Sequence, residues 1–282
     1  VIRSAAARFI ISLFAILCAG AQVIPAVYAQ EIALDGAVSQ GGLVQGTIRP
    51  GARLTLDGRK IRVSRSGVFV IGFGRDAPRH ATLTVTHPDG TSKTRRLEVR
   101  QRKYRVQRID GLPGAKVTPP PEALSQIRTE GAMIRTARAR DTDETWFRGG
   151  FTWPARGRIS GIYGSRRILN GKPRRPHAGV DVAAPTGTPV VAAAGGVVSL
   201  ARTGLFFTGG TVMIDHGFGV NTIYAHMSAV DVKQGARVEK GARIGRIGAT
   251  GRVTGAHLHW GASWFGVRLD PALLVGPMPG KR

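Results

Sequence analysis

Between residues 151 and 274 a glycine recurs every few positions, and the runs between glycines are short, apolar and rich in β-branched side chains. Runs that short do not make helices, and turns that frequent need positive-φ backbone, so the segment is restricted to a β-rich fold with tight connections. Residues 189–193 and 195–200 read as one strand pair. Residues 210–215 lead through His216, Gly217, Phe218 and Gly219 into a strand over 220–226, and 235–241 is echoed in miniature by 242–248.

The same texture begins earlier. Residues 43–48, 52–56, 67–72 and 81–86 alternate like strands, and a turn at His87-Pro88-Asp89-Gly90 precedes another strand near 94–99. This is a small sandwich-like β domain over residues 30–105 with no visible chemistry; His80 and His87 are read as surface residues. Residues 106–147 change character. Pro119-Pro120-Pro121 closes a loop, and Leu124, Ile127, Ile134 and Ala137 recur at helical intervals between Glu122 and Arg140, which predicts a helical connector acting as a spacer or as a lid. The expected organisation is therefore all-β with a helical connector, the second β domain occupying residues 148–282.

Residues 1–29 read as an export signal. Arg3 and Arg8 precede an apolar run over 9–17, and Val27-Tyr28-Ala29 offers a small-residue cleavage site before Gln30. Gln22 and Pro25 interrupt the segment, which argues against an uncleaved anchor and for a mature protein with no stable membrane span, periplasmic or secreted. Cys18 is the only cysteine and lies inside this signal, so a mature metal site must use nitrogen and oxygen ligands. The charge of +24, from 41 basic and 17 acidic side chains, favours anionic partners. Nucleic acid is not among those expected, because zinc-finger spacings and aromatic-interleaved basic blocks are absent and export removes the chain from it. Anionic peptidoglycan or an outer-membrane surface accounts for the charge equally well.

Five of the seven histidines fall between residues 177 and 259. His257 and His259 are two apart, so in a strand they share a face while Leu258 turns away. His177 and Asp181 share parity, yet a straight strand would part them by roughly 13 Å at about 3.3 Å per residue. Pro176 and Gly179 suggest a bend that folds His177 back over Asp181. Two imidazoles and a carboxylate suit a catalytic zinc with one position open.

These stretches resemble the M23 peptidase family, the lysostaphin and LytM-type endopeptidases. The resemblance rests on Gly164 to Val190 around His177-Ala178-Gly179-Val180-Asp181, on Ile223-Tyr224-Ala225-His226-Met227, and on Gly248 to Trp260 ending His257-Leu258-His259-Trp260. It covers about residues 151–274 and implies a lysostaphin-type antiparallel β fold with the site in a groove on the sheets. His177, Asp181 and His259 match the ligands of one Zn2+ per chain. His257 matches the general base, and His226 the second active-site histidine, which holds water or the developing oxyanion. Ala256 departs from the proline usual before the triplet, and it removes no ligand. The resemblance implies a zinc endopeptidase acting on peptidoglycan cross-links, with the D-alanyl-meso-diaminopimelate bond favoured over glycine bridges. Members that have lost ligands serve instead as activators of amidases, so an amidase or cell-division partner is the alternative; all five key positions are intact here.

Overall fold

The first seven strands produce two small sheets. The computed structural model describes residues 32–280. Strands β1 (Ala33–Gly36), β2 (Leu43–Thr47) and β5 (Val68–Gly72) form one sheet in the order β1-β2-β5, and β3 (Arg53–Leu56), β4 (Arg59–Ile61), β6 (His80–Thr86) and β7 (Ser92–Glu98) form another in the order β4-β3-β6-β7. On β6, Ala81, Leu83 and Val85 are buried, whereas His80, Thr82, Thr84 and Thr86 lie on the other face. His80 and His87 are half-buried, and His80 Nδ1 is 3.1 Å from Glu98 Oε1. Val44, Leu54, Phe69, Ile71 and Leu83 form a core with Val220, Ala262, Trp264 and Leu269 from far along the chain. Each such Val, Leu, Ile or Phe side chain, fully buried, stabilises the fold by about 1.5–3 kcal/mol.

The connector begins with β8 (Val106–Ile109) and a short turn of helix, α1 (Gly114–Val117), and continues as α2 (Ala123–Arg138). The helix expected at 122–140 is there, but Leu124 is exposed and packing starts only further along, where Met133, Ile134 and Ala137 meet Leu200, Leu205, Met213 and Ile223. β8 runs parallel to β10 (Arg166–Leu169), which in turn pairs with β11 (Lys172–Arg174).

The largest sheet combines β9 (Arg158–Gly161), β12 (Val180–Ala183), β13 (Pro189–Val191), β14 (Gly196–Leu205), β15 (Gly209–Asp215), β16 (Val220–Val230), β17 (Arg237–Val238), β18 (Arg243–Ile247), β19 (His257–Trp264) and β20 (Val267–Leu269). Its main path is β17-β14-β15-β16-β19-β12-β9, antiparallel throughout. Val182, Val212, Ile214, Tyr224, Leu258 and Trp260 turn to one core. The register sets Met213 beside Ile223, Ile223 beside Gly261 and Ala225 beside His259, so the face that carries His259 is also the face on which α2 lies. One pairing differs from expectation: β13 pairs with β18, and β14 with β15 and β17, rather than β13 with β14. No residue of 192–195 has positive φ, so the short link lacks the backbone that a tight hairpin needs and carries the chain from one partner to another.

Candidate metal centre

β12 and β19 are neighbours in register, and Asp181 stands directly opposite His259. Both side chains therefore leave the sheet on one face. The pairing with β9 shifts register between Asp181 and Val182, an irregularity of the kind that bends a strand locally. His177 precedes the strand and is pinned at both backbone groups, its N–H donating to Ser165 O at 2.9 Å and its carbonyl accepting from Gly164 N at 2.9 Å. The expected bend is present. Gly179 makes it feasible, because a Cβ there would fall 2.2 Å from Trp260 O.

The outcome is a tight cluster. His177 Nε2 lies 3.0 Å from Asp181 Oδ1 and 3.0 Å from His259 Nδ1, and His259 Nδ1 lies 2.9 Å from Asp181 Oδ1. His177 and Asp181 are buried, and the His259 side chain is 16% exposed. Burial pulls the Asp181 pKa upward, but the neighbouring His177 and His259 imidazoles outweigh it and hold the carboxyl well below its usual range. His259 is pushed down to about 4, first by burial, with Asp181 opposing.

The other two histidines flank this group. His257 follows the parity expected of it, with Nδ1 donating to Gly255 O at 2.8 Å and Nε2 3.9 Å from Asp181 Oδ1. His226 does not follow from parity. Ala225 is the residue opposite His259, so a regular strand would send His226 to the Trp260 face. Instead His226 has φ 67, and the broken alternation brings its ring centroid within 4.8 Å of His257 and 6.1 Å of His259. Left-handed backbone at a non-glycine residue costs about 1–2 kcal/mol and persists where surrounding structure enforces it. Here His226 N donates to Thr208 O at 2.8 Å and Nδ1 to Thr250 O at 2.8 Å. Its pKa falls to about 3, through burial first and then the charges of His257 and His259, so the ring is neutral with Nε2 as an acceptor.

Arg167 was not singled out in the sequence. It lies on β10 and donates from Nη2 to Asp181 Oδ2 at 2.7 Å, occupying the oxygen that faces away from the imidazoles. A Cβ at Gly161 would lie 2.2 Å from the same Oδ2. No spacing rule links β10 to β12, so the Arg166-Arg167 pair within residues 164–190 is the one signal the sequence offers. His216, the fifth histidine of the region, is elsewhere: it is buried with Nδ1 donating to Gly195 O at 2.6 Å and Nε2 2.8 Å from Thr222 Oγ1.

The donor set fits a divalent ion. His177 Nδ1 donates to Ile162 O at 3.1 Å, which leaves Nε2 as a lone pair aimed at the cluster. Nε2, Asp181 Oδ1 and His259 Nδ1 are then three acceptor positions with at most one proton among them. They lie within 4.8 Å of one another, the grouping that can hold a metal ion. Ligands about 2 Å from one tetrahedral ion sit about 3.3 Å apart, close to the spacings here.

The cluster lies inside a stretch that matches a known protein family. Residues 175–271, about a third of the chain, match the family described as Peptidase family M23. Over 123 residues the chain is 45% identical to the DD-carboxypeptidase/endopeptidase Mpg of Neisseria meningitidis, which is 43% of this chain and 28% of that protein. It is 45% identical over 104 residues to the peptidoglycan DD-endopeptidase ShyA of Vibrio cholerae, 36% of this chain and 24% of that one. The chain thus spans about a quarter of the length of these relatives. A crystal structure from Pseudomonas aeruginosa assigned to peptidase M23 superposes with a TM-score of 0.58 at 29% identity, over 84% of this chain and 95% of that one.

Proposed function

We propose, from the premise that this chain carries an M23-family peptidase domain, that it is a zinc endopeptidase cleaving peptide cross-links of bacterial peptidoglycan. The observation that carries the proposal is the convergence of His177, Asp181 and His259 between two further imidazoles, each with Nδ1 tied to a carbonyl. His177 Nε2, Asp181 Oδ1 and His259 Nδ1 would hold the ion. Bound zinc would supply a Lewis acid that polarises the scissile carbonyl and acidifies a water.

The chain's own residues do the rest. His257, with Nδ1–H donating to Gly255 O, offers Nε2 to take a proton from the attacking water and to return it to the leaving amine. His226 is kept neutral with Nδ1–H on Thr250 O, so its Nε2 accepts a hydrogen bond and orients the water; this supports the water-holding role over donation to an oxyanion. Arg167 fixes the far oxygen of Asp181 so that Oδ1 stays turned to the imidazoles.

The favoured bond is D-alanyl-meso-diaminopimelate, a reading supported by the DD-carboxypeptidase/endopeptidase and DD-endopeptidase names of two relatives and by the positive charge. The organisation proposed is a β domain over 30–105, a connector over 106–147 and the peptidase domain from 148. The export signal of residues 1–29 lies outside the described residues; among those described, no helix is long and apolar enough to cross a membrane. Purified protein incubated with isolated sacculi tests the function. Zinc-dependent release of cross-link-cleaved muropeptides, identified by mass, is the expected outcome. Release only on addition of an amidase would replace the enzyme with a regulator.

A further inference from the structure

The turn between β14 and β15 and the loop between β18 and β19 meet beside the histidines. His226 is held by both, through Thr208 O and Thr250 O. At the same junction Arg252 N donates to Phe207 O at 2.9 Å, and the Arg252 guanidinium lies over the Phe207 ring, 4.7 Å from its centroid. Phe207 is itself backed edge-on by Phe206, with centroids 4.9 Å apart, and Phe206 is clamped by the connector: its N–H donates to Glu130 Oε2 at 2.8 Å and its carbonyl accepts from Lys116 Nζ at 2.8 Å. The guanidinium therefore rests on a platform fixed from beneath, which sets the plane of its donors.

What the guanidinium lacks is an acid. Among the described residues no carboxylate lies within ion-pair distance of Arg252 or of Arg174, while Arg167 is engaged with Asp181. Arg174 spends its donors on Val117 O and Pro173 O. Among the described residues the Arg252 side chain has no hydrogen-bond partner, and its pKa is lowered by burial first and then by the charges of Arg167 and Arg174, so three cations gather near one carboxylate. An unpaired, partly buried, planar donor fork is matched by a carboxylate.

We propose that Arg252, stacked on Phe207 beside the histidine cluster and without an acidic partner, binds a carboxylate of the substrate peptide and makes the site selective for peptides bearing that charge near the scissile bond. This rests on the peptidase reading above and adds to it the recognition of a specific group. Arg252 thereby acts as a specificity residue.

The test is binding of an uncross-linked stem tripeptide, L-alanyl-γ-D-glutamyl-meso-diaminopimelate, to the zinc-loaded full chain by calorimetry, with each carboxylate amidated in turn. Wild type is expected to lose about 10-fold or more in affinity when one particular carboxylate is amidated, the scale of a charge-assisted hydrogen bond. Arg252→Gln is expected to bind the acid as weakly as wild type binds that amide, and to lose less than about 2-fold on the same amidation. Arg252→Lys, which keeps the charge and loses the fork, is expected to fall between them. The proposal is overturned if wild type does not distinguish the forms, or if both variants, folded and with unchanged zinc content, keep the full penalty for every amidation. Cleavage of a cross-linked dimer by wild type, followed by mass, is scored separately: discrimination without cleavage removes the peptidase reading and leaves the carboxylate subsite standing.

Discussion

Two β-rich regions of this molecule share glycine-marked turns and a core but treat strand regularity differently. On β6 and β7 the pleat runs undisturbed: His80, Thr82, Thr84 and Thr86 face Glu98, Arg96, Thr94 and Ser92 in unbroken register. Around the histidines the pairing is broken repeatedly, by a bulge at Asp181, by shifts along β15, β16 and β18, and by the left-handed His226. A regular sheet displays side chains on two parallel faces at fixed intervals. Bringing five groups from four segments toward one point requires departures from that lattice, so irregularity marks where the chemistry is.

The largest effects should follow from damage to the irregular region. His259→Ala leaves only two of the three protein groups that a catalytic zinc requires; metal content by mass spectrometry should fall sharply and activity drop to background. His257→Ala should keep close to one zinc per chain and its fold, yet lose on the order of 10²-fold or more in turnover. Loss of zinc in the second variant and retention in the first would mean that the ligand and the base have been exchanged.

Acid should act on the same region. His216, His226 and His259 are neutral in the fold, with pKa values near 4, 3 and 4, in each case through burial first. Their unfolded counterparts take up protons below about 6.5, so the stability of the metal-free protein is full above that pH and is lost as pH falls through about 6.5 toward 4. His216→Gln should flatten the urea-measured slope in that window by about 1.4 kcal/mol per pH unit, one proton's worth. An unaltered slope would mean that His216 is not held neutral.

Smaller effects sharpen the contrast. Gly179→Ala drives a methyl against Trp260 O and should destabilise by about 1–3 kcal/mol while weakening zinc binding, read by unfolding and by chelator competition. Thr84→Val, on the regular sheet, removes a hydroxyl 3.1 Å from Thr94 Oγ1 in an exposed position. It should change stability by no more than about 0.5 kcal/mol, with zinc affinity untouched. If these two variants behaved alike, the distinction between the regions would fail.

What the chain discloses before folding follows the same division. The facing of His257 and His259, the bend at Gly179 and the connector helix follow from periods of two and 3.6 and from glycine, all of which are local properties. His226 eluded parity because its direction is set by Thr208 and Thr250, partners from two other segments. Arg167 eluded spacing because β10 belongs to a separate three-stranded sheet with β8 and β11. The partners of β13 and β14 depended on the backbone of four residues whose φ values the amino-acid types leave open.

The core that Phe69 and Ile71 share with Val220, Ala262, Trp264 and Leu269 has a practical meaning for anyone who wishes to isolate the half that holds the histidine cluster. A fragment begun near residue 148 would carry that second half of the core as bare, oily surface on the side that bears Trp264. Contiguous apolar patches of this kind make proteins stick to one another. Trimming the chain to the histidine-bearing portion would therefore yield a product limited by solubility, and a minimal version of the protein would need polar replacements at Val220, Trp264 and Leu269 before it could be compared with the whole.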